Sequence, residues 1–478
     1  MSINVSRRNF LMGTSAFALA AANPAAASVG GGTPTLPRGN GGLKLRFGLL
    51  SDIHITDWES TEIFRKTLRY FRDQDVDAVM IAGDMADHGI LPQLQNVAKA
   101  WFSVFPDDRG LGNKKVERLF VYGNHDPEGL GYRDPAMDKA FKAMNMTYEE
   151  AEKFHLQKYG LGKAWQECFH EAYAPIYTKN VKGYDFIGGH WDPVNGSGWG
   201  SGPAIGEWMK ANVSKLDTAK PFFYFQHPHP KGTVFAGDSW GEDAGDSTRK
   251  FADYPFATVF SGHSHRPITD GRNYWREEFT SIGTGTLSYL CMPDGRKGRK
   301  NYRDNLDGRC GQIVDVFDDR LVVARRDFFN DEDLDDKIVL EMPVKTSSFS
   351  VRSVRTAERP SFAKTAKVET KVAGRKAVDF SFPGAFDNPT ARPFDYTVKV
   401  ESRIPGKATW QSWSKSELWA QPEAVMSRKR AIAAGSVKGQ IDLAGLPAAA
   451  NAVRVRVAAR NSYGVAGGEL VGAWQELA

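Results

Sequence analysis

Between residues 44 and 261 the chain alternates short apolar runs with longer segments of helical spacing, and most of the apolar runs end on Asp, Asn or His. The runs 44–51, 78–82, 118–122, 184–188, 221–226 and 257–261 read as buried strands. Residues 61–74 and 94–105 show the recurrence of apolar positions every three to four residues that marks an amphipathic helix. Alternation of this kind requires a layered α/β fold, because each apolar sheet face must be covered. In such folds ligands gather where the strands end.

Five clusters close these strands: Asp52-Ile53-His54, Gly83-Asp84-Met85-Ala86-Asp87, Gly123-Asn124-His125-Asp126, Gln226-His227-Pro228-His229 and Gly262-His263-Ser264-His265. Seven of the ten histidines lie in or next to them. Together they offer carboxylates that can bridge, one amide oxygen and several imidazoles, a donor set suited to a pair of first-row transition ions. The three cysteines, Cys168, Cys291 and Cys310, have no CxxC spacing, so a thiolate metal site is not expected. Asp84 is the best bridging candidate, since it ends a strand and follows a glycine that frees the turn.

The ordered series DxH, GDxxD, GNHD, H and GHxH resembles the calcineurin-like metallophosphoesterase superfamily over residues 44–327. The resemblance implies a four-layer α/β/β/α sandwich with two transition-metal ions, Mn, Fe or Zn. One ion would take Asp52, His54, Asp84 and His265, and the other Asp84, Asn124, His227 and His263. In the fourth cluster His227 directly follows the apolar strand and is preferred, with His229 the competing ligand. The implied chemistry is attack of a metal-bridging hydroxide on phosphorus, with His125 as general acid and Asp87 holding its imidazole in the right tautomer. Asp126 is read either as an aid to that chemistry or as a carboxylate fixing the loop. The purple acid phosphatases carry a tyrosine where Asp87 stands, and protein serine/threonine phosphatases carry GNHE, so neither subfamily is matched. Small phosphomonoesters or phosphodiesters remain as substrates.

Outside the clusters, His190-Trp191-Asp192 also follows a strand and is a candidate for substrate contact, while His88 reads as a loop residue and His155 and His170 as surface residues. At the N-terminus, Ser6-Arg7-Arg8-Asn9-Phe10-Leu11 precedes a mildly apolar run and the small-residue site Ala25-Ala26-Ala27, a twin-arginine export signature. Residues 1–27 are therefore expected to be a signal peptide read by the twin-arginine machinery, and 28–43 a flexible leader. A periplasmic or secreted location follows, with no membrane span. That compartment permits a Cys291–Cys310 disulfide, with Cys168 left free and buried.

The phosphoesterase domain is expected over 44–343, with a helical insertion at 134–173 and a Gly/Asp-rich loop at 231–249 that can cap the site. Strands at 279–284, 312–316 and 320–327 should extend the sheet. From 344 to 478 short alternating strands replace the helices, at 348–354, 364–372, 395–403, 409–414, 436–443 and 452–459. This pattern suggests a smaller all-β sandwich, and the run from Val453 to Gly464 resembles a fibronectin type III or immunoglobulin-like module. Trp410, Trp413 and Trp419 read as its core and Arg428-Lys429-Arg430 as a solvated turn. The formal charge of +5 gives no case for nucleic-acid binding. An alternative function is a surface glycan-binding or adhesion protein with a vestigial phosphoesterase domain. The complete ligand set argues against it.

Overall fold

The computed structural model describes residues 42–133, 137–195, 202–234, 241–293, 302–306, 309–345, 359–388, 391–408, 412–420 and 425–477. Up to Glu341 the strands are β1 (Leu45–Leu50), β2 (Ala78–Ala82), β3 (Glu117–Val121), β4 (Ile176–Val181), β5 (Tyr184–Gly189), β6 (Phe222–Gln226), β7 (Ala257–Ser261), β8 (Tyr274–Arg276), β9 (Thr280–Gly283), β10 (Leu290–Pro293), β11 (Tyr302–Leu306), β12 (Cys310–Val316), β13 (Arg320–Asp327) and β14 (Glu332–Glu341). They form two six-stranded sheets, ordered β14-β13-β12-β1-β2-β3 and β4-β5-β6-β7-β9-β8, while β10 and β11 pair as a separate hairpin. β1, β2 and β3 run parallel, as do β5, β6, β7 and β9.

Side-chain alternation within each strand builds the layers. Leu45, Phe47 and Leu49 of β1 face Phe186, Phe223, Phe225 and Phe260 of the second sheet. Leu50 points the other way, toward the helices Thr61–Asp73, Leu91–Val104 and Leu161–Phe169. On β6 the pattern repeats, with Phe222 and Tyr224 packed under the helices Ile205–Asn212 and Asp246–Phe251. Phe47 meets Phe186, Phe223 and Phe260 edge-on at centroid distances of 5.3, 5.2 and 5.8 Å. Each buried aromatic or aliphatic side chain of this kind stabilises the fold by roughly 1.5–3 kcal/mol. The expected α/β/β/α sandwich is what these contacts build, and the central strands β1, β2, β6 and β7 are buried on two faces. That is why the strands read as continuous apolar runs.

The segment 137–169 is the expected helical insertion. After β9 the chain crosses back to the first sheet, where β12, β13 and β14 pair antiparallel beside β1. Cys168 and Cys310 are free and buried, so the Cys291–Cys310 disulfide that the compartment would permit is not formed, and Cys310 packs with Ile268, Leu290 and Leu334.

The remaining strands are β15 (Glu369–Ala373), β16 (Ala377–Pro383), β17 (Asp395–Arg403), β18 (Ser414–Ala420), β19 (Ser436–Asp442), β20 (Ala452–Arg460), β21 (Ala466–Val471) and β22 (Gln475–Glu476). One sheet is β15-β16-β19 and the other β18-β17-β20-β21, with β22 also paired to β20. Tyr396, Val398 and Val400 lie beside Val453, Val455 and Val457 in one sheet and share an apolar core with Val378, Phe380, Phe382 and Ile441 of the other, with Trp413 and Trp419 packed against it. The strand expected at 348–354 and the residues 409–411 lie outside the described residues. Arg428-Lys429-Arg430 is not a solvated turn. It opens the helix Arg428–Ala434, and Arg430 bridges Asp327 at 2.9 Å and Glu332 at 3.1 Å. Val425 and Met426 join the cluster of Ile268, Leu290 and Leu334, so this β-rich region is packed onto the loops that follow β7.

Candidate metal centre

The clusters after β1, β2, β3, β6 and β7 meet at one rim of the two sheets. Asp52, His54, Asp84, His263 and His265 all adopt the left-handed backbone conformation, with φ of 51, 45, 53, 72 and 52°. Strained backbone concentrated in this way is typical of a functional site, where the surroundings over-determine each residue. The glycines that open three clusters are spaces that side chains fill. A Cβ on Gly83 would overlap the His227 ring, and one on Gly123 would overlap the Asp84 carboxylate.

Asp52, His54, Asp84 and His265 form one group whose donor atoms lie within 4.8 Å of one another, Asp84, His227 and His263 form a second, and His54, Asp87 and His125 form a third. Asp84 belongs to the first two. Its Oδ2 is 3.5 Å from His54 Nε2 and 3.1 Å from His227 Nε2. In the first group, His265 Nε2 is 3.0 Å from Asp52 Oδ1 and 3.1 Å from His54 Nε2. In the second, His263 Nδ1 is 3.1 Å from His227 Nε2. Neighbours aim the rings: His265 Nδ1 donates to the Tyr289 carbonyl at 2.8 Å and His227 Nδ1 to the Ala82 carbonyl at 2.8 Å. Each bond commits one ring nitrogen and leaves Nε2 for the site.

Of the two histidines in the fourth cluster, His227 belongs to the second group and His229 to none, and His229 Nδ1 lies 2.8 Å from Ser261 Oγ. Asn124 Nδ2 donates to Tyr132 Oη at 3.0 Å, while the buried Oδ1 has no hydrogen-bond partner among the described residues. An orphaned amide oxygen is a cost that a cation removes. Together with two buried carboxylates and four imidazoles, it makes a donor set that fits two borderline-soft ions.

The electrostatics point the same way. Burial pushes the Asp84 carboxyl up, but His227, His125 and His54 outweigh it and hold it well below the usual carboxylate range. Asp52, opposed by the same burial, is drawn down to about 2 by His265 and His227. His227 is raised to about 9 against its own burial by Asp84 and Asp52. Burial, joined by a neighbouring imidazole, lowers His54 and His263. Buried carboxylates here demand positive charge.

His125 lies beside this centre, 4.6 Å from the His54 ring and nearly perpendicular to it. Its backbone N–H donates to Asp84 Oδ1 at 2.9 Å, and its Nδ1 donates to the Asp87 carbonyl oxygen at 2.7 Å. The expected tautomer-fixing partner is therefore the backbone of Asp87. The Asp87 carboxylate instead accepts from His54 Nδ1 at 2.7 Å and stands 3.7 Å from His125 Nδ1. His88 lies 3.2 Å from the second Asp87 oxygen and is buried, so it is not a free loop histidine. Asp126 fixes loops: it accepts from the backbone N–H groups of Met85, Ala86 and Gly123 and locks two clusters together. Burial and the Asp84 charge push its carboxyl up to about 7 despite those donors.

His190 does not reach the site. Its Nδ1 accepts from the Tyr122 N–H at 3.0 Å, and burial among Tyr122, Trp165 and Tyr173 lowers it to about 3. Its neighbour Trp191 does reach it, with ring centroids 6.1 Å from His263 and 6.3 Å from His227. Tyr289, stacked on His265 at 4.1 Å, and Tyr132, 4.8 Å from His125, complete an aromatic wall. None of the three stands in a metal-ligand pattern, and only the position of Trp191 after β5 marked it in the sequence. The expected capping loop reaches the centre at Gly241, where a Cβ would overlap the His263 ring.

Residues 45–267 match the family model of the calcineurin-like phosphoesterases. The chain thus carries a metallophosphoesterase domain over those residues. Among solved structures, it is similar to a conserved uncharacterised protein of Streptococcus pneumoniae described as a predicted phosphoesterase, at 12% identity over 62% of this chain and 97% of that one, with a TM-score of 0.26. An anchor in the inner membrane complex of Plasmodium aligns at 13% identity over 64% and 93%, with a TM-score of 0.36. A phosphatase of Mycoplasma pneumoniae aligns at 12% over 65% and 96%, with a TM-score of 0.27. No curated protein matches the chain.

Proposed function

We propose that the chain is an exported, metal-dependent phosphohydrolase that cleaves small phosphomonoesters or phosphodiesters. The observation that carries this reading is the Asp84 carboxylate shared between two imidazole-rich groups, together with the orphaned, buried Asn124 oxygen of the next cluster. Asp52, His54, Asp84 and His265 would hold one Mn, Fe or Zn ion, and Asp84, Asn124, His227 and His263 the other. Such ions, when bound, place positive charge against the phosphoryl oxygens and make water nucleophilic at neutral pH.

The chain's own residues supply the rest. His125 gives its Nδ1 proton to the Asp87 carbonyl, so Nε2 is the atom that delivers a proton to the leaving-group oxygen. The Asp87 carboxylate, 3.7 Å from His125 Nδ1, stabilises the imidazolium before that transfer. Trp191, Tyr289 and Tyr132 shield the reacting groups from water. The twin-arginine signature in residues 1–27 supports export, and two packed sheets after residue 359 support a sandwich of the fibronectin type III or immunoglobulin sort.

The test is turnover of p-nitrophenyl phosphate and bis-p-nitrophenyl phosphate by protein loaded with Mn, Zn or Fe. Hydrolysis of either ester is expected. No turnover with any of the three metals refutes the reading.

A further inference from the structure

An asparagine amide is nearly symmetric in shape, yet only its oxygen can ligate a cation. Something must decide which end of Asn124 faces the centre, and the hydrogen bonds around it do so in one direction. Glu128 has no proton to give, so its carboxylate accepts twice, from Trp191 Nε1–H at 3.0 Å and from the Tyr132 hydroxyl at 3.2 Å. The single hydroxyl proton of Tyr132 is thereby committed to Glu128. Its oxygen can then only accept, and its donor is Asn124 Nδ2 at 3.0 Å. With the NH2 end so engaged, Oδ1 is left buried with no hydrogen-bond partner among the described residues.

We propose that Glu128 and Tyr132 are positioning residues that set the orientation of the Asn124 amide and so the affinity of the second ion, a proposal that rests on the two-ion reading above. Glu128 lies outside all three groups that could hold an ion and acts through two hydrogen bonds. Trp191 completes the chain from the other side. Its backbone N–H is held by the Tyr122 carbonyl at 3.0 Å, and its ring packs against His227 and His263. Glu128 therefore ties the loop after β5 in one sheet to the loop after β3 in the other. Tyr132 is 48% exposed, so removing its hydroxyl leaves the fold without a cavity.

The experiment is titration of metal-free protein with Mn²⁺, read as stoichiometry and as two dissociation constants. The wild-type protein should bind two ions. Tyr132→Phe and Glu128→Gln should each weaken one of them by roughly 10–100-fold, the usual effect of losing a group that orients a metal ligand, and leave the other unchanged. Asn124→Asp supplies an oxygen at both ends of the side chain, so in that background Tyr132→Phe should change neither constant by more than about twofold. Wild-type protein that binds fewer than two ions overturns the two-ion reading and this proposal with it. Two ions held with unchanged affinity in both single variants overturn the positioning role alone. So does equal weakening of both ions, or a Tyr132→Phe loss that persists in the Asn124→Asp background.

Discussion

The two halves of the centre are oriented by different means. Around Asp52, His54 and His265 the supports are buried and partly charged: the Asp87 carboxylate holds His54, His88 stands behind Asp87, and the Tyr289 carbonyl holds His265. Around Asn124 and His227 they are a backbone carbonyl and a half-exposed tyrosine. Charge differs as well. The first half has two carboxylates, Asp52 and Asp84, and the second has only Asp84 with a neutral amide. A shared ligand thus serves one strongly anionic site and one weaker, more adjustable site. The adjustable one is reached by hydrogen bonds from outside the motifs.

Several substitutions probe this asymmetry. The largest expected effect spares both halves: His125→Ala should lower turnover by roughly 10²–10⁴ with metal content unchanged, the usual range for a general acid. Loss of metal in that variant would make His125 a ligand. Next, Asp87→Ala removes the acceptor of His54 Nδ1 and should weaken the ion of the first half by roughly 10–100-fold. This mirrors the Tyr132→Phe effect on the second, and Mn²⁺ titration of both variants should show opposite sites affected. If both variants weaken the same ion, the division into halves is wrong. The smallest effect is one of order. A chelator titration of the loaded protein should strip two ions in separate steps, and Asn124→Asp, by adding a carboxylate to the poorer half, should draw the steps together. A single step in the wild-type protein would contradict the charge difference.

Much of this was legible in the residues because it is local. Each strand of the two sheets carries its apolar run on its own, and each cluster sits directly after its strand, so the gathering of Asp52, His54, Asp84, Asn124, His227, His263 and His265 follows from strand order at one rim. What was not legible depends on distant partners. Asp87 lies in the GDxxD cluster with His125 as its expected partner, yet its carboxylate turns to His54 because the bond to His125 is made by its backbone. Trp191 and Tyr289 enter from loops with no ligand spacing. No strand is expected at Ala377–Pro383, which forms β16 through pairing with β15 and β19. The return of β12–β14 to the edge of β1 is a crossover that periodicity does not encode. Arg430 reads as solvent-facing charge in the sequence, but Asp327 and Glu332, about a hundred residues earlier, stand beside it.

The central claim is that one carboxylate, Asp84, holds both halves together, and metal content measures it most directly. Asp84→Ala, verified as folded, should retain neither ion at Mn²⁺ concentrations that saturate the wild-type protein with two. Wild-type metal content in Asp84→Ala would contradict the shared-ligand centre outright.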